Sequence, residues 1–189
     1  MANTSRKGFY PVGTMNGSAW MEHVRSYPVD SSNATAIFLG DVISLEADGN
    51  VAPAAASDTV AKIGVCVGVK VSRSVAATEH PGYLPASTAG TIFVCLAFPT
   101  VIFEAQEDSV GGANAAEDVG ENVDFIAGAG STTTGLSGHE LDSSTVATTA
   151  ALHFKFLKLV DRPDNAIGTN AKWLVSMVES HWMATVAGI

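Results

Sequence analysis

The residues best equipped for chemistry lie in GAGSTTTGLSGHELDSS, positions 128–144. Ser137, His139 and Asp142 are the residue types of a nucleophile, a general base and its orienting acid. Such a trio works only when all three lie within hydrogen-bond reach. GLSG is one residue short of the GxSxG elbow, and no strand-turn-helix pattern surrounds it. The spacing therefore predicts loop residues that point apart. The glycines of GAGSTTTG suggest a phosphate cradle, but the lysine of GxxxxGK[ST] is missing and no helix follows. The segment reads as a polar loop.

The acidic run EAQED, with Glu104, Glu107 and Asp108, has the ligand type for a hard cation. Calcium needs six or more oxygens in a defined loop, and no DxDxDG pattern supplies them. The run reads as a solvated strand end, as does the pair Glu117 and Asp118. The five histidines, His23, His80, His139, His153 and His181, show no HxH or HxxxH spacing. His153 is expected to face outward from a strand. Cys66 in KIGVCVGV and Cys95 in TIFVCLAF sit inside apolar runs and read as buried, reduced thiols. No catalytic, cofactor-binding or metal-binding residue is assigned, and the chain is not expected to be an enzyme.

The elements that would position these residues are strands. At 189 residues the chain can bury a sizeable core without staples. Hydrophobic residues make up 47%, which excludes general disorder. ATAIFLG reads as a strand apolar on both faces, Asp41 as a turn, and VISLEA as a strand joined to VAPA through Asp48-Gly49-Asn50. AAASDTVAK is left as a loop or one helical turn. The glycines in KIGVCVGVKVSRSV predict a bulge or a close strand approach. HPGYLPASTAG is a loop. Pro99 splits TIFVCLAF from TVIFEAQED because proline cannot donate to a ladder. GGANAAEDVGE is a connector with one helical turn, and NVDFIA is a short strand. TVATTAALHFKFLKLV reads as one long strand whose apolar phase slips near Phe156, a further predicted bulge. KWLVSMVESHW fits a strand and also a helix face through Leu174, Met177, Val178 and His181; strand is preferred. The fold class expected is all-β, a single β-barrel or jelly-roll-like sandwich with extended N- and C-terminal arms.

Those arms cover residues 1–30 and 181–189, around a barrel domain at 31–180. The first holds Arg6, Phe9, Tyr10 and Trp20 with little regular periodicity, and the last holds Trp182 and Met183. Aromatics, Met and Arg anchor interfaces. Arg6, Phe9, Tyr10, Trp20, Trp182 and Met183 are therefore the expected contact residues, with folding back onto the body as the competing reading. The net charge of −9 disfavours nucleic acid. The longest apolar run, TIFVCLAFPTVIF, falls short of the ~20 residues of a membrane helix, so no membrane is expected. The N-terminus has no signal-peptide apolar region, and synthesis in the cytoplasm is expected.

GFYPVGTMNGSAW, FLGDVISL with DGNVAPA, IGVCVGV, GAGSTTTGLSGHELDSST and LVDRPDNAIGTNAKWLV together resemble head decoration, or cement, proteins of tailed bacteriophages. The resemblance implies a β-barrel or jelly-roll body on the outer surface of the virion, bound to the major capsid protein and to itself. It implies no catalytic residues. The three-fold sites of capsids favour a homo-oligomeric trimer over a dimer. The alternative is a head-fibre or receptor- and glycan-binding β-module.

Overall fold

The computed structural model describes residue 3 and residues 7–56, 62–71 and 81–183, the side chain of Val71 excepted. The described residues form eleven strands and no α-helix. In chain order these are β1 (Tyr10–Thr14), β2 (Val24–Val29), β3 (Val42–Leu45), β4 (Val51–Pro53), β5 (Lys62–Val71) and β6 (Gly90–Leu96). β7 (Val101–Gln106), β8 (Asn122–Ile126), β9 (Glu140–Ala147), β10 (Phe154–Leu159) and β11 (Lys172–Met177) follow. One sheet has the order β1-β7-β11-β10-β8-β9 and the other β2-β6-β5-β3-β4. Every pairing inside the sheets is antiparallel.

The architecture is a two-sheet, sandwich-like body and not a closed barrel. Beyond β7, Glu107 makes one isolated parallel bridge to Leu141 of β9, so the larger sheet curls without completing a ladder. Pro99 marks the corner at which the chain leaves one sheet for the other: β6 belongs to the smaller, β7 to the larger. The Val101 N–H closes this corner on the Phe98 carbonyl at 2.9 Å.

Two apolar clusters result. The first joins the sheets: Phe103, Phe125, Phe154, Phe156, Trp173 and Val175 of the larger pack with Val42, Val65 and Cys95 of the smaller. The second covers the other face of the smaller sheet with Ile37, Ile43, Ile63, Leu84, Ile92 and Val94. Trp182 closes that face; its indole N–H donates to the Ile63 carbonyl at 2.8 Å. A sheet buried on both faces needs continuous apolar runs. That is why KIGVCVGV and TIFVCL lack clean polar alternation.

Several sequence expectations are seen directly. The Asp48-Gly49-Asn50 turn joins β3 to β4, with Gly49 at φ 86°. The bulge in β5 falls between Cys66 and Gly68, and that in β10 between Phe156 and Lys158. Gly64 allows the close approach, since a Cβ there would lie 2.1 Å from the Cys95 carbonyl oxygen. Residues 172–177 are strand, with Trp173, Val175 and Met177 fully buried. Ala116–Asp118 is the expected single helical turn, of 3-10 type. Both cysteines are free and buried, and on opposite faces: Cys95 lies in the first cluster and Cys66 in the second. Burial pushes each thiol up to about 12.

Others are corrected. ATAIFLG is no strand; Ile37 and Leu39 make only isolated bridges, to Leu84 and Leu136. The long strand over TVATTAALHFKFLKLV is two strands, because Thr145–Ala147 ends β9 and a turn intervenes before Phe154. β9 itself begins at Glu140, inside the segment read as loop. The N-terminal segment is not an extended arm within its described residues: β1 and β2 are integral strands of the two sheets. Phe9 is fully buried, stacked on Phe154 with ring centroids 4.5 Å apart. Parts of AAASDTVAK and of KVSRSV, and the tail beyond Met183, lie outside the described residues.

Candidate functional site

The six expected contact residues have separate fates. Phe9 is core. Tyr10 and Trp20 are half-buried and come together in one cleft of about 550 Å³. Pro11, Val12, Leu39 and Leu136 share its lining, with the Glu104–Arg162 pair. Trp182 and Met183 are half-buried, Trp182 against Phe98 at a ring distance of 5.7 Å. Arg6 lies outside the described residues.

The cleft is built by strand register. Tyr10 on β1 pairs with Glu104 on β7, and Leu174 on β11 pairs with Glu104 from the other side. Arg162, in the β10–β11 loop, grips the Glu104 carboxylate with two N–H donors at 2.9 and 3.0 Å. The fork geometry holds a largely buried carboxylate in place while the guanidinium stays partly exposed. The Tyr10 hydroxyl donates to the Lys7 carbonyl at 2.9 Å. At the cleft Val12 is 46% exposed, and Met15 and Met21 are 53 and 66% exposed. β1 is an edge strand of its sheet.

The acidic run is not a solvated strand end. Glu104 is paired as described, and Glu107 is fully buried. Glu107 accepts from the Trp173 indole at 3.0 Å, the Asn114 N–H at 3.1 Å and the Ser109 hydroxyl at 3.1 Å. Burial raises its pKa and these donors partly offset the effect. Asp108 accepts from the Ser143 N–H and hydroxyl at 3.0 and 2.8 Å. The run fastens the end of β7 to β9 and β11. Glu117 alone fits the solvated reading, being exposed. Among the described residues no cluster of His, Cys, Asp and Glu could hold a metal ion.

The histidines also move. His153 does not face outward; it is 3% exposed, with Nδ1 2.6 Å from Asp124 Oδ1 and Nε2 3.6 Å from Glu179 Oε2. His139 and Ser137 are buried, and their carboxylate neighbour is Asp41, not Asp142. Asp142 instead accepts from the Ser144 N–H and hydroxyl. The Ser137 hydroxyl oxygen accepts from the His139 N–H at 2.9 Å, and the hydroxyl lies close enough to Asp41 to favour its carboxylate. His139 Nδ1 accepts from the Val42 N–H at 3.2 Å, and Nε2 faces Asp41 Oδ1 at 3.5 Å. Neither ring nitrogen is left to take a proton from Ser137, so this trio is not a hydrolase triad. The Asp41–His139 pair, which no local sequence pattern announces, is held by the turn at Phe38–Asp41, where Asp41 Oδ2 accepts the Phe38 N–H at 2.8 Å. Burial pushes Asp41 up to about 6, against the pull of Ser137 and Phe38, and pushes His139 down to about 4.

The glycine loop is a packing device. A Cβ on Gly130 would lie 2.3 Å from the Phe38 ring, and one on Gly135 would lie 2.7 Å from the Gly82 carbonyl oxygen. Phe38 in turn stacks on Tyr83 at 4.9 Å. The glycines admit an aromatic pair, and no phosphate cradle is formed by them.

No protein-family model, no curated protein and no solved structure matches the chain. Among the described residues no helix is long and apolar enough to cross a membrane.

Proposed function

We propose that the chain is a structural virion protein: a head decoration protein that docks on the outside of a phage capsid lattice, associates with itself and stabilises the shell. The observation that carries this reading is the surface around β1. Exposed Val12 and Met15 lie on an edge strand and the turn after it, and exposed Met21 on the 3-10 turn Trp20–His23, next to a cleft lined by Tyr10 and Trp20. Methionine and aromatic side chains are enriched where proteins meet proteins, and the edge strands of sheets are places where partners dock. The resemblance of five sequence segments to decoration proteins supports the same reading.

The physical role follows from mass action. A protein that binds the assembled lattice and not its dissociated subunits stabilises each site by about 2.7 kcal/mol at a hundredfold excess over Kd. A homo-oligomer that spans two capsomers gains further by effective concentration. Only shape and surface chemistry are required.

Co-sedimentation of the recombinant chain with heads that lack it tests the reading. Saturable binding is expected for the wild type. Met15→Asp and Met21→Asp, both at exposed positions, are expected to keep the β-rich far-UV spectrum and lose most of the bound fraction. Full occupancy by both variants refutes the docking face.

A further inference from the structure

A strand at the edge of a sheet is a template for another strand, and the described residues hold four of them: β1, β9, β2 and β4. Three carry a proline, Pro11, Pro28 and Pro53, and the strands between them carry none. β1 also slips register between Pro11 and Gly13, and β4 is only three residues long. β9 has no proline, and the segment 108–111 covers it instead. The Asp108 N–H donates to the Leu141 carbonyl at 2.9 Å, and Asp108 Oδ1 accepts the Ser143 N–H at 3.0 Å. A Cβ on Gly111 would lie 2.5 Å from Ser144 Cα, so this segment lies flat against the strand.

On β2 the direction of the backbone groups follows from its neighbour β6. The Ala97 N–H donates to the Ile63 carbonyl at 2.9 Å, and the Cys95 carbonyl approaches Gly64. Alternate residues of β6, Cys95, Phe93 and Thr91, therefore turn their N–H and C=O groups to β5. Their partners on β2 are Val24, Ser26 and Pro28. These three receive no hydrogen bond from β6 and turn their own groups off the sheet. Both ends of that row are closed. The Val24 N–H donates to the Met21 carbonyl, and the Arg25 guanidinium folds back onto the Val24 and Glu22 carbonyls at 2.8 and 2.9 Å. Pro28 has no N–H. Ser26 alone presents an uncapped donor, since none of the described residues bonds it.

Proline by itself decides little, because an edge strand tolerates it in any case. The caps on Val24 and on β9 are independent of it: Arg25 and Asp108 each commit a charged side chain to backbone groups that face away from a sheet. A single N–H cannot seat a strand, whose ladder needs donors on alternate residues. We infer that all four sheet edges are closed to strand addition by a second copy of this chain, so that contacts between copies run through side chains and not through a shared sheet. The closure of β2 rests on the fewest groups. Without Arg25 and Pro28 its edge would present N–H groups at positions 26 and 28 and a free Val24 carbonyl, enough for two copies to pair β2 with β2 about a two-fold axis. The closed edges belong to the isolated chain and hold whether or not it docks on a capsid.

Sedimentation velocity of the full chain tests this, in high salt so that the net charge of −9 does not mask association. The double variant Arg25→Thr with Pro28→Val, both at exposed positions, is expected to keep the β-rich far-UV spectrum. Its sedimenting mass is expected to double with rising concentration relative to the wild type, and amide exchange at positions 26 and 28 to slow as it does. Each single variant is expected to show a weaker shift of the same kind. Adding Ser26→Pro to the double variant removes the donor again and is expected to restore wild-type sedimentation. Variants that all sediment as the wild type does overturn the inference, as does an association that survives Ser26→Pro. A wild-type oligomer in which the Ser26 amide is protected from exchange overturns it as well.

Discussion

Replacing His139 by Asn isolates the titration of Asp41. The asparagine carbonyl can still accept the Val42 N–H that His139 Nδ1 accepts, while the ionisable ring is gone. Asp41 then has a folded value of about 6 against 3.8 for the free carboxyl. Between these values the folded chain binds the proton and the unfolded chain does not. Stability from this group is therefore fully present below 3.8 and lost as pH rises through about 6. At ~1.4 kcal/mol per pH unit the difference is about 3 kcal/mol. The complementary variant, Asp41→Asn, leaves His139 at about 4 against its usual 6.5. Its contribution has the opposite sign: present above 6.5, and lost as pH falls through about 4, again by about 3 kcal/mol. In the wild type the two nearly cancel. Urea unfolding at pH 7, 5.5 and 4, each variant referred to the wild type at the same pH, removes the common titration of the other carboxylates. His139→Asn is expected to gain on the wild type as pH falls, and Asp41→Asn to lose. Variants that both follow the wild-type profile within about 0.5 kcal/mol refute the buried pair.

Gly64→Ala must push a Cβ against the Cys95 carbonyl, whereas Gly13 has nothing within 4 Å of its Cβ position. The first is expected to cost about 3 kcal/mol or more and the second less than about 1 kcal/mol in urea unfolding. Phe9→Ala removes a ring stacked on Phe154 and edge-on to Phe125, and about 3–5 kcal/mol of stability is expected to go with it. Deletion of residues 1–12 is expected to unfold the chain on far-UV dichroism rather than merely to weaken docking, because Phe9 and half of β1 go with it. Glu107→Ala strands the Trp173 indole and the Asn114 N–H and is expected to cost about 2–4 kcal/mol with a shift in Trp fluorescence. Glu107→Gln keeps an acceptor and is expected to cost about 1 kcal/mol or less.

What could be read from the sequence was what local chemistry decides. Asp48-Gly49-Asn50 makes its turn, Pro99 breaks its strand, the glycines of β5 mark its bulge at Cys66–Gly68, and the phase slip near Phe156 becomes the bulge at Phe156–Lys158, because each is a property of a few adjacent residues. The same logic hid β1 and β2. Their glycine, proline and half-buried aromatic positions mimic an arm, and only pairing with β7 and β6 makes them strands. Burial of charge was illegible for a related reason. Glu107 looks like any acidic strand end until Trp173 and Asn114 arrive from 66 and 7 positions away. Asp41 and His139 meet because Val42 and His139, 97 positions apart, share a hydrogen bond. A pattern confined to GLSGHELD pointed to Asp142, which serves its own neighbour Ser144 instead. Tyr10 and Trp20 stood out by residue type alone, and the structure gathers them in one cleft that no local pattern foretold.

The central claim is that this chain works as a docked, multi-copy component of a shell. Quantitative mass spectrometry of purified virions, measured as copies of this chain relative to the major capsid protein, tests it most directly. A fixed, stoichiometric ratio that falls in step when Met21→Asp replaces the wild type is the expected result; absence of the chain from intact particles contradicts the account.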